Sequence, residues 1–290
     1  MTSKSRTKSE IEDDLKRLRE WLSKQPHLPK NIDNEILSAY VHGTKSLEIA
    51  KQKLDAYYSS KSKAPHLFSF PARDTEDDSF KKGCEALKIF FLPEMTSERY
   101  LVLFVTFDLD FSKFDHVQYL VRMMMMVELA MLRWPDAEGV VLATDLSGMD
   151  VSILSKVNIT ISGFFIHWFQ KTIPMKLKKA VAVNAPKFFE TMMNSFVRPF
   201  LSKKIFERII ITSEGVTVLN KYIHEPLLPI DFGGNEKSSS DLNKYWIEEL
   251  KNNKDWFLKT SQQFVDETKR PADKLNTYGV DGTFRSLMVD

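Results

Sequence analysis

The chain has 290 residues, of which 43% are hydrophobic and 28% charged, and its formal net charge is +2. This composition is that of a folded globular protein with one large domain or two smaller ones. The small net charge argues against a general nucleic-acid binder. The single cysteine, Cys84, excludes an internal disulfide and is typical of a reducing compartment.

The chain lacks a segment of ~20 apolar residues, the length that a membrane-spanning helix needs. Its most apolar window, residues 123–131, contains Glu128. The first fourteen residues have no apolar centre, so we expect no secretory signal. These features predict a cytoplasmic protein that contacts membranes only peripherally and transiently.

The first third of the chain has a helical pattern. Ile11, Leu15, Leu18 and Leu22 are spaced as one face of an amphipathic helix. A second helix is predicted over residues 33–40, and a third begins after Ser46. Residues 59–73 are rich in Ser, Lys and Pro, which predicts a linker. We therefore expect a small all-helical domain over residues 8–75.

The rest of the chain has the pattern of an α/β domain. Short apolar runs of strand type occur at residues 100–107, 139–144, 180–183 and 208–212. Helical patterns lie before and between them, at residues 80–87 and 114–134. Residues 151–171 are ambiguous between strand and helix, and we favour a helix. This alternation predicts a largely parallel sheet. We place the second domain at residues 76–250 and a C-terminal helix and tail at residues 251–290. The helix is expected over residues 256–269, and the polar tail begins at Pro271.

Catalytic motifs are absent from the sequence. It has no nucleophile elbow, no phosphate-binding glycine loop and no His/Cys spacing typical of a metal site. The acidic group Asp108, Asp110 and Asp115 is more typical of a strand end that turns into solvent than of a metal site. His167 lies in an aromatic helix and is predicted to be a packed core histidine. We therefore predict a protein that is not an enzyme and needs no cofactor.

Residues 171–208 are strongly basic, with nine Lys or Arg and two Glu, so this segment carries +7. A helical pattern of Phe188, Phe189, Met192 and Phe196 lies within it. The combination indicates docking to an anionic surface beside an apolar cavity. The alternative is a solvated helix pair with ordinary lysines.

Several helical segments are unusually rich in apolar side chains. They contain four consecutive methionines at residues 123–126 and aromatic side chains at residues 164–168 and 188–196. Flexible methionines and aromatic rings are suited to a deformable cavity for a lipophilic ligand. Ordinary core packing is the alternative interpretation.

Four motifs together resemble the CRAL-TRIO lipid-binding family. They are LATDLSGM at residues 142–149, VNAP at 183–186, RPFLSKKIFERI at 198–209 and LPIDFGG at 228–234. The resemblance covers roughly residues 8–269. The tail, residues 278–290, is similar to that of insect members of the alpha-tocopherol-transfer-protein-like type.

The resemblance implies a helical N-terminal domain followed by a lipid-binding domain, in which a mixed, mainly parallel sheet is the floor of an apolar cavity. A mobile gate helix over residues 187–204 would cover this cavity. The resemblance also implies a cytosolic monomer that carries one hydrophobic molecule, such as a tocopherol, retinoid or carotenoid. The residues implied to line the cavity are Leu120, Met123, Met124, Val127, Ala143, Phe165, Trp168, Phe169, Ala180, Phe189, Met192 and Phe196.

In the tocopherol-carrying branch of the family, four basic residues bind a phosphoinositide head group, and the matching positions here are Lys176, Lys178, Lys204 and Arg208. The resemblance therefore implies a lipid-transfer protein that exchanges its ligand at phosphoinositide-containing membranes. An alternative within the same family is a lipid-sensing adaptor that regulates a membrane-traffic or signalling partner.

The chain departs from the family pattern in three places. In the first domain, Val41-His42-Gly43 stands where many members have a basic Leu-Arg-like segment. Between Pro186 and the Pro-Phe-Leu motif it is one residue longer than typical members, which leaves the register of the gate open. Met123 and Val127 stand where the tocopherol-carrying branch has small polar residues. The sequence therefore leaves the identity of the ligand open.

Overall fold

The computed structural model describes residues 7–107 and 110–271. Three sequence-based predictions fall wholly or partly outside these residues: the role of Asp108 in an acidic group, the resemblance of residues 278–290, and the polar tail from residue 272 onward. Within the described residues, no helix has both the length and the apolar content needed to cross a membrane.

The N-terminal region is helical, as predicted. Thr7 and Glu10 form a capping box at the start of the first helix, whose Leu18 and Leu22 are buried. The predicted linker over residues 59–73 is wrong, because this segment is helical and the side chains of Leu67 and Phe68 are fully buried. The helices are α1 Lys8–Ser23, α2 Asn34–Gly43, α3 Leu47–Lys63, α4 Pro65–Phe68 and α5 Phe70–Arg73.

A five-stranded sheet lies at the centre of the described residues, with strand order β1-β2-β3-β4-β5. The first pair is antiparallel and the other pairs are parallel, so the predicted α/β fold with a mainly parallel sheet is confirmed. The sequence analysis missed β1, a fully buried run of four residues that is too short to show a period. The strands are β1 Lys88–Phe91, β2 Tyr100–Thr106, β3 Gly139–Asp145, β4 Leu177–Val183 and β5 Ile209–Ile211.

Helices follow β2, β3 and β4, whereas β1 leads through a turn directly into β2. The predicted helix over residues 151–171 is confirmed as two helices, whereas the one predicted over residues 256–269 already ends at Ser261. The helices are α6 Asp78–Ala86, α7 His116–Arg133, α8 Ile153–Lys156, α9 Ile159–Lys171, α10 Lys187–Met192, α11 Lys203–Phe206, α12 Ser239–Asn252 and α13 Lys254–Ser261. The segment between α10 and α11 is described with the site.

Buried polar contacts connect the helical region to the α/β region. The Arg73 guanidinium contacts the Glu128 carboxylate on α7 at 2.6 Å, and both side chains are almost completely buried. The Tyr57 hydroxyl on α3 donates to the same carboxylate at 2.7 Å. Glu128, the one charge in the most apolar window of the sequence, is therefore matched by partners from the N-terminal helices.

The C-terminal segment packs back on the N-terminal helices. The Lys61 ammonium donates to the Thr260 carbonyl, and the Gln263 amide donates to the Asn31 carbonyl at 2.6 Å. Arg270 contacts the buried carboxylate of Asp55 at 2.8 Å. The last turn of α13 and the residues that follow it thus stabilise the position of the N-terminal helices.

Candidate functional site

An apolar cavity of about 290 Å³ lies between the sheet, α7, α9 and the segment that follows β4. Its floor is one face of the sheet, because alternate residues of a strand point to the same side. Leu142 and Thr144 of β3, Ala180 and Ala182 of β4 and Ile211 of β5 lie on this face. The small alanines in the middle of the floor leave the space that the cavity occupies.

Two helices form the walls of the cavity. Leu120, Met123 and Val127 of α7 are separated by three and four residues and face the cavity together. Phe165 and Phe169 of α9 face it with the same helical spacing. The wall therefore consists of flexible thioether and aromatic side chains, which adapt to different ligand shapes.

Residues 187–206, which we name the cover segment, close the cavity on the side opposite the sheet. Phe189 and Met192 of α10 are buried against the cavity, and Phe196 also lines it. The outer face of the segment is polar and exposed, at Lys187 and Asn194 for example. The cover segment is thus an amphipathic layer between the cavity and solvent.

The middle of the cover segment is not an α-helix. Met193–Val197 forms a π-helical turn, and Arg198–Phe200 follows as a 3₁₀ turn. A π turn accommodates one extra residue, because its hydrogen bonds span five residues instead of four. We propose that this turn absorbs the additional residue that the family resemblance implies before Pro199. Phe196 lines the cavity.

Specific contacts hold both ends of the cover segment. Asn184 adopts a positive φ of 52°, and its side-chain amide donates to Asp145 at the end of β3 at 2.8 Å. Asparagine tolerates this left-handed conformation better than most residues do. At the other end the Phe200 ring packs on Gly163 of α9, and the Phe200 carbonyl accepts a hydrogen bond from Gln170 at 3.2 Å. These contacts fix the closed position of the cover segment.

Most of the residues predicted for the cavity lie in its lining. The nine that do are Leu120, Met123, Val127, Phe165, Phe169, Ala180, Phe189, Met192 and Phe196. Their role in binding a lipid stays a prediction.

Met124, Ala143 and Trp168 do not belong to the lining, and all three are completely buried. Ala143 points to the other face of the sheet, because its neighbours Leu142 and Thr144 face the cavity. Met124 and Trp168 lie on the sides of α7 and α9 that turn away from the cavity. The Trp168 ring packs 6.3 Å from Phe68.

One end of the cavity carries polar groups that the sequence analysis missed. They are His116 and Tyr119 at the start of α7, Thr144 near the end of β3, and Ser162 of α9. Burial lowers the pKa of His116 to about 4 and raises the pKa of Tyr119 to about 12, so both side chains are neutral at physiological pH. The helical spacing of His116, Tyr119, Leu120 and Met123 is the one sequence signal that these polar residues share a face with the apolar wall.

Three of the four predicted basic residues, Lys176, Lys178 and Arg208, lie near the ends of the strands where β3 and β4 begin. Partial burial lowers the pKa of Lys176, and the negative charge of Glu138 opposes this effect. The positive charges of Lys178 and Arg208 lower this pKa further, which indicates that the three cations lie near each other. Lys204 is exposed on α11, four residues before Arg208, whose guanidinium donates to the Leu177 carbonyl. Binding of a head group by these residues stays a prediction.

Two lysines of the N-terminal helices extend this basic region. Lys45 is one of the charges that lower the pKa of Lys176. The Lys53 ammonium donates to the Ile173 carbonyl at 2.7 Å, and burial, together with Lys171 and Lys176, lowers its pKa to about 8. The basic region is therefore built by both parts of the chain.

The acidic residues considered for a metal have structural partners. The Asp110 carboxylate accepts from the Ser112 backbone at 3.2 Å, and the Asp115 carboxylate caps α7 by accepting from the Gln118 backbone at 2.8 Å. His167 is half-buried on α9, and burial lowers its pKa. Across residues 7–107 and 110–271 no three His, Cys, Asp or Glu side chains lie close enough to hold a metal ion.

A family model described as the CRAL/TRIO domain matches residues 86–234, which include the whole sheet and the cover segment. The chain belongs to the CRAL/TRIO family. A second model, described as the Pinta-like UBA domain, matches residues 7–80, the region of the N-terminal helices.

Curated relatives are distant. The chain is 27% identical to Clavesin-2 of Rattus norvegicus and of Homo sapiens over 189 residues, which are 64% of this chain and 54% of each relative. It is 22% identical to an alpha-tocopherol transfer protein-like protein of Mus musculus over 225 residues, 76% of this chain and 64% of that relative. The chain thus spans about half the length of the Clavesin-2 proteins that it matches.

A solved structure has the same fold. The crystal structure of Sfh5 superposes with a TM-score of 0.51 at 14% sequence identity, over 80% of this chain and 90% of that one. Together with the family model, this likeness confirms the predicted CRAL-TRIO α/β fold preceded by a helical region.

Proposed function

We infer that this protein is a carrier that holds one lipophilic molecule in its cavity and exchanges it at membranes. The observation that carries this inference is the apolar cavity on the sheet of a CRAL/TRIO domain, closed by an amphipathic cover segment. Burying ~400 Å² of ligand surface at ~25 cal/mol/Å² contributes about 10 kcal/mol before ordering costs are subtracted. Tight binding therefore needs no strong polar contact.

Docking at an anionic membrane is assigned to Lys176, Lys178, Lys204 and Arg208. A basic side chain near anionic lipid contributes ~1 kcal/mol, so four of them give a binding free energy that suits reversible docking. Lys45 and Lys53 lie beside Lys176 and strengthen the positive potential. The head-group chemistry that fits this cluster is that of a phosphoinositide.

The cover segment is proposed to act as the gate. It contains Lys204 and ends just before Arg208, so a head group bound at these residues pulls on one end of the segment. The contacts of Phe200 with Gly163 and Gln170 are the ones that opening must break. Membrane docking thereby favours the open cavity and release of the ligand.

Transfer between vesicles tests this function. A fluorescent tocopherol analogue is loaded on the purified protein, and its arrival in vesicles with and without phosphoinositide is followed, with no other protein present. Transfer under these conditions distinguishes a carrier from an adaptor that only senses a lipid. We expect transfer to be faster into vesicles that contain phosphoinositide.

Charge reversal tests the docking surface. The variant Lys176→Glu/Lys204→Glu changes two exposed lysines and leaves Arg208, which holds the Leu177 carbonyl, in place. Two charge reversals are expected to slow transfer into phosphoinositide vesicles by about tenfold or more. The matched control is Lys237→Glu/Lys244→Glu, two exposed lysines before and on α12 at the β1 edge of the sheet. Equal transfer by both double variants would reject the docking surface.

A further inference from the structure

The polar groups of the cavity are gathered at one end. His116, Tyr119, Thr144 and Ser162 all lie where β2 and β3 finish and α7 and α9 begin. Among the described residues of the lining, the one other polar side chain is that of Gln170, whose amide is already bonded to the Phe200 carbonyl. The lining recorded for the described residues is otherwise apolar, so a ligand meets hydrogen-bonding groups at a single end.

The hydrogen bonds of His116 determine which proton it carries. Its Nδ1 accepts from the backbone N–H of Asn158 at 3.3 Å and is therefore unprotonated. A neutral imidazole then has its proton on Nε2, which donates to the Ser162 hydroxyl oxygen at 3.2 Å. Burial keeps the ring neutral, since it lowers the pKa of His116 to about 4.

The Ser162 hydroxyl is left with a proton to donate. Its oxygen accepts from His116 Nε2 at 3.2 Å. Among the described residues no acceptor for the hydroxyl proton is recorded, and the side chain lines the cavity. The same holds for the phenol of Tyr119, whose ring packs against Phe114 and His116. Both O–H groups are available to an acceptor inside the cavity.

Charge is the second constraint on the ligand. None of the cavity-lining residues in the described part of the chain is Lys, Arg, Asp or Glu. An anionic head group inside the cavity would lose its hydration without gaining a countercharge, which is strongly unfavourable. The basic residues Lys176 and Lys178 lie at the other end of the strands, where β4 begins. Helix α7 has 18 residues and runs about 27 Å from His116 back toward that end.

We propose that the cavity selects an uncharged lipophile with one terminal oxygen, an alcohol, phenol, ketone or aldehyde, which accepts hydrogen bonds from Ser162 and Tyr119. His116 positions the Ser162 hydroxyl by occupying one of its lone pairs. Anionic lipids are excluded from the interior and are recognised only outside it. This inference rests on the proposed carrier function and specifies its ligand class.

A set of three C18 probes with the same chain tests the selection. Octadecan-1-ol has a neutral hydroxyl, octadecane has no oxygen, and octadecyl sulfate is a permanent anion. The purified full chain is equilibrated with phosphatidylcholine vesicles that hold equal mole fractions of the three probes. The protein is then separated, and bound probes are extracted and quantified by mass spectrometry relative to their content in the vesicles.

Octadecanol is expected to load at least about fivefold better than octadecane, and octadecyl sulfate no better than octadecane, because one or two hydrogen bonds favour the alcohol alone. Ser162→Ala and Tyr119→Phe should each lower the octadecanol-to-octadecane ratio by about 2- to 10-fold without lowering octadecane loading. Met124→Leu, a change of similar volume at a buried position of α7 outside the lining, is the matched control and should leave the ratio unchanged.

The outcomes distinguish a failure of the proposed ligand class from a failure of the proposed carrier function. Equal loading of alcohol and hydrocarbon, preferred loading of the sulfate, or an unchanged ratio in both polar variants overturns the ligand class while the carrier function stands. A protein that loads none of these flexible chains contradicts the carrier function, and the ligand class with it.

Discussion

Gly163 contacts the Phe200 ring of the cover segment, so adding one methyl group at this position tests whether Phe200 holds the cavity closed. A Cβ at this position would lie 2.6 Å from the Phe200 ring, closer than van der Waals contact allows. Gly163→Ala is therefore expected to displace Phe200 and weaken the closed cover segment, so that spontaneous ligand exchange becomes several-fold faster. Gly83→Ala on α6 is the control, since its Cβ meets Gln118 at an ordinary 3.5 Å. Exchange rates that match in both variants would show that Phe200 does not hold the cover.

His116 makes the stability of the fold depend on pH. Burial lowers its pKa from 6.5 to about 4, with a smaller opposing effect from Asp115. The unfolded chain therefore takes up a proton near pH 6.5, before the folded chain does, and stability falls as the pH falls from 6.5 to 4. The loss from this one group is at most about 3 kcal/mol, at 1.36 kcal/mol per pKa unit.

Urea unfolding at pH 7.5 and pH 4.5 measures this effect. His116→Gln has no titrating ring, so it is expected to lose less stability over this interval than the unmodified protein. Parallel losses in the two proteins would contradict the assignment of a buried neutral imidazole at His116.

Among the elements, the π-helical turn of the cover segment is proposed to absorb the extra residue that the family resemblance implies. Deleting the exposed Asn194 should convert Met193–Val197 to a regular helix and keep Phe196 on the cavity side. The free energy of unfolding is expected to stay equal or to rise, because a π turn is a strained variant of the helix. Ligand release is expected to become slower.

Deletion of the exposed Glu248 from α12 is the control. In a regular helix the loss of one residue rotates all later positions by about 100°, which moves the buried Leu250 out of the core. This variant is expected to lose ~2 kcal/mol or more of stability. A loss of the same size from the Asn194 deletion would mean that the π turn does not absorb the extra residue.

The length and period of a segment decided which elements were predictable. Helices α1, α7 and α9 are long and strongly periodic, and all were predicted. Strand β1 has four residues, and its burial on both faces removes the alternation that marks a strand. Residues 59–73 look like a linker because of Pro65 and Pro71, but each proline stands in the first turn of a helix, where no backbone donor is lost.

At the scale of the whole molecule, the buried pair Arg73 and Glu128 joins the N-terminal helices to the α/β region. Glu128→Gln would leave the Arg73 guanidinium buried without a countercharge. We expect a loss of about 3–5 kcal/mol in the free energy of unfolding, measured with urea. The double variant Arg73→Met/Glu128→Leu removes both charges and should recover most of this loss. If the double variant is as unstable as the single one, packing and not charge is the cause.

The cavity residues were only partly predictable from the sequence, because the packing of the elements against each other decides which side chains face the cavity. Apolar wall residues such as Leu120 and Met123 follow from helical spacing on one element. Whether Met124 or Ala143 faces the cavity depends on how α7 and the sheet are turned toward each other, which spacing does not specify. The pairing of His116 with Ser162 joins residues 46 positions apart, and only the fold brings them together.

Organic extraction and native mass spectrometry of the purified protein test most directly whether the cavity holds a lipophile. We expect one bound molecule per chain, uncharged, lipophilic and with a terminal oxygen, and a shift to the unliganded mass after delipidation. A protein that stays at its unliganded mass after incubation with lipid vesicles, or that takes up only anionic lipids, would contradict the account.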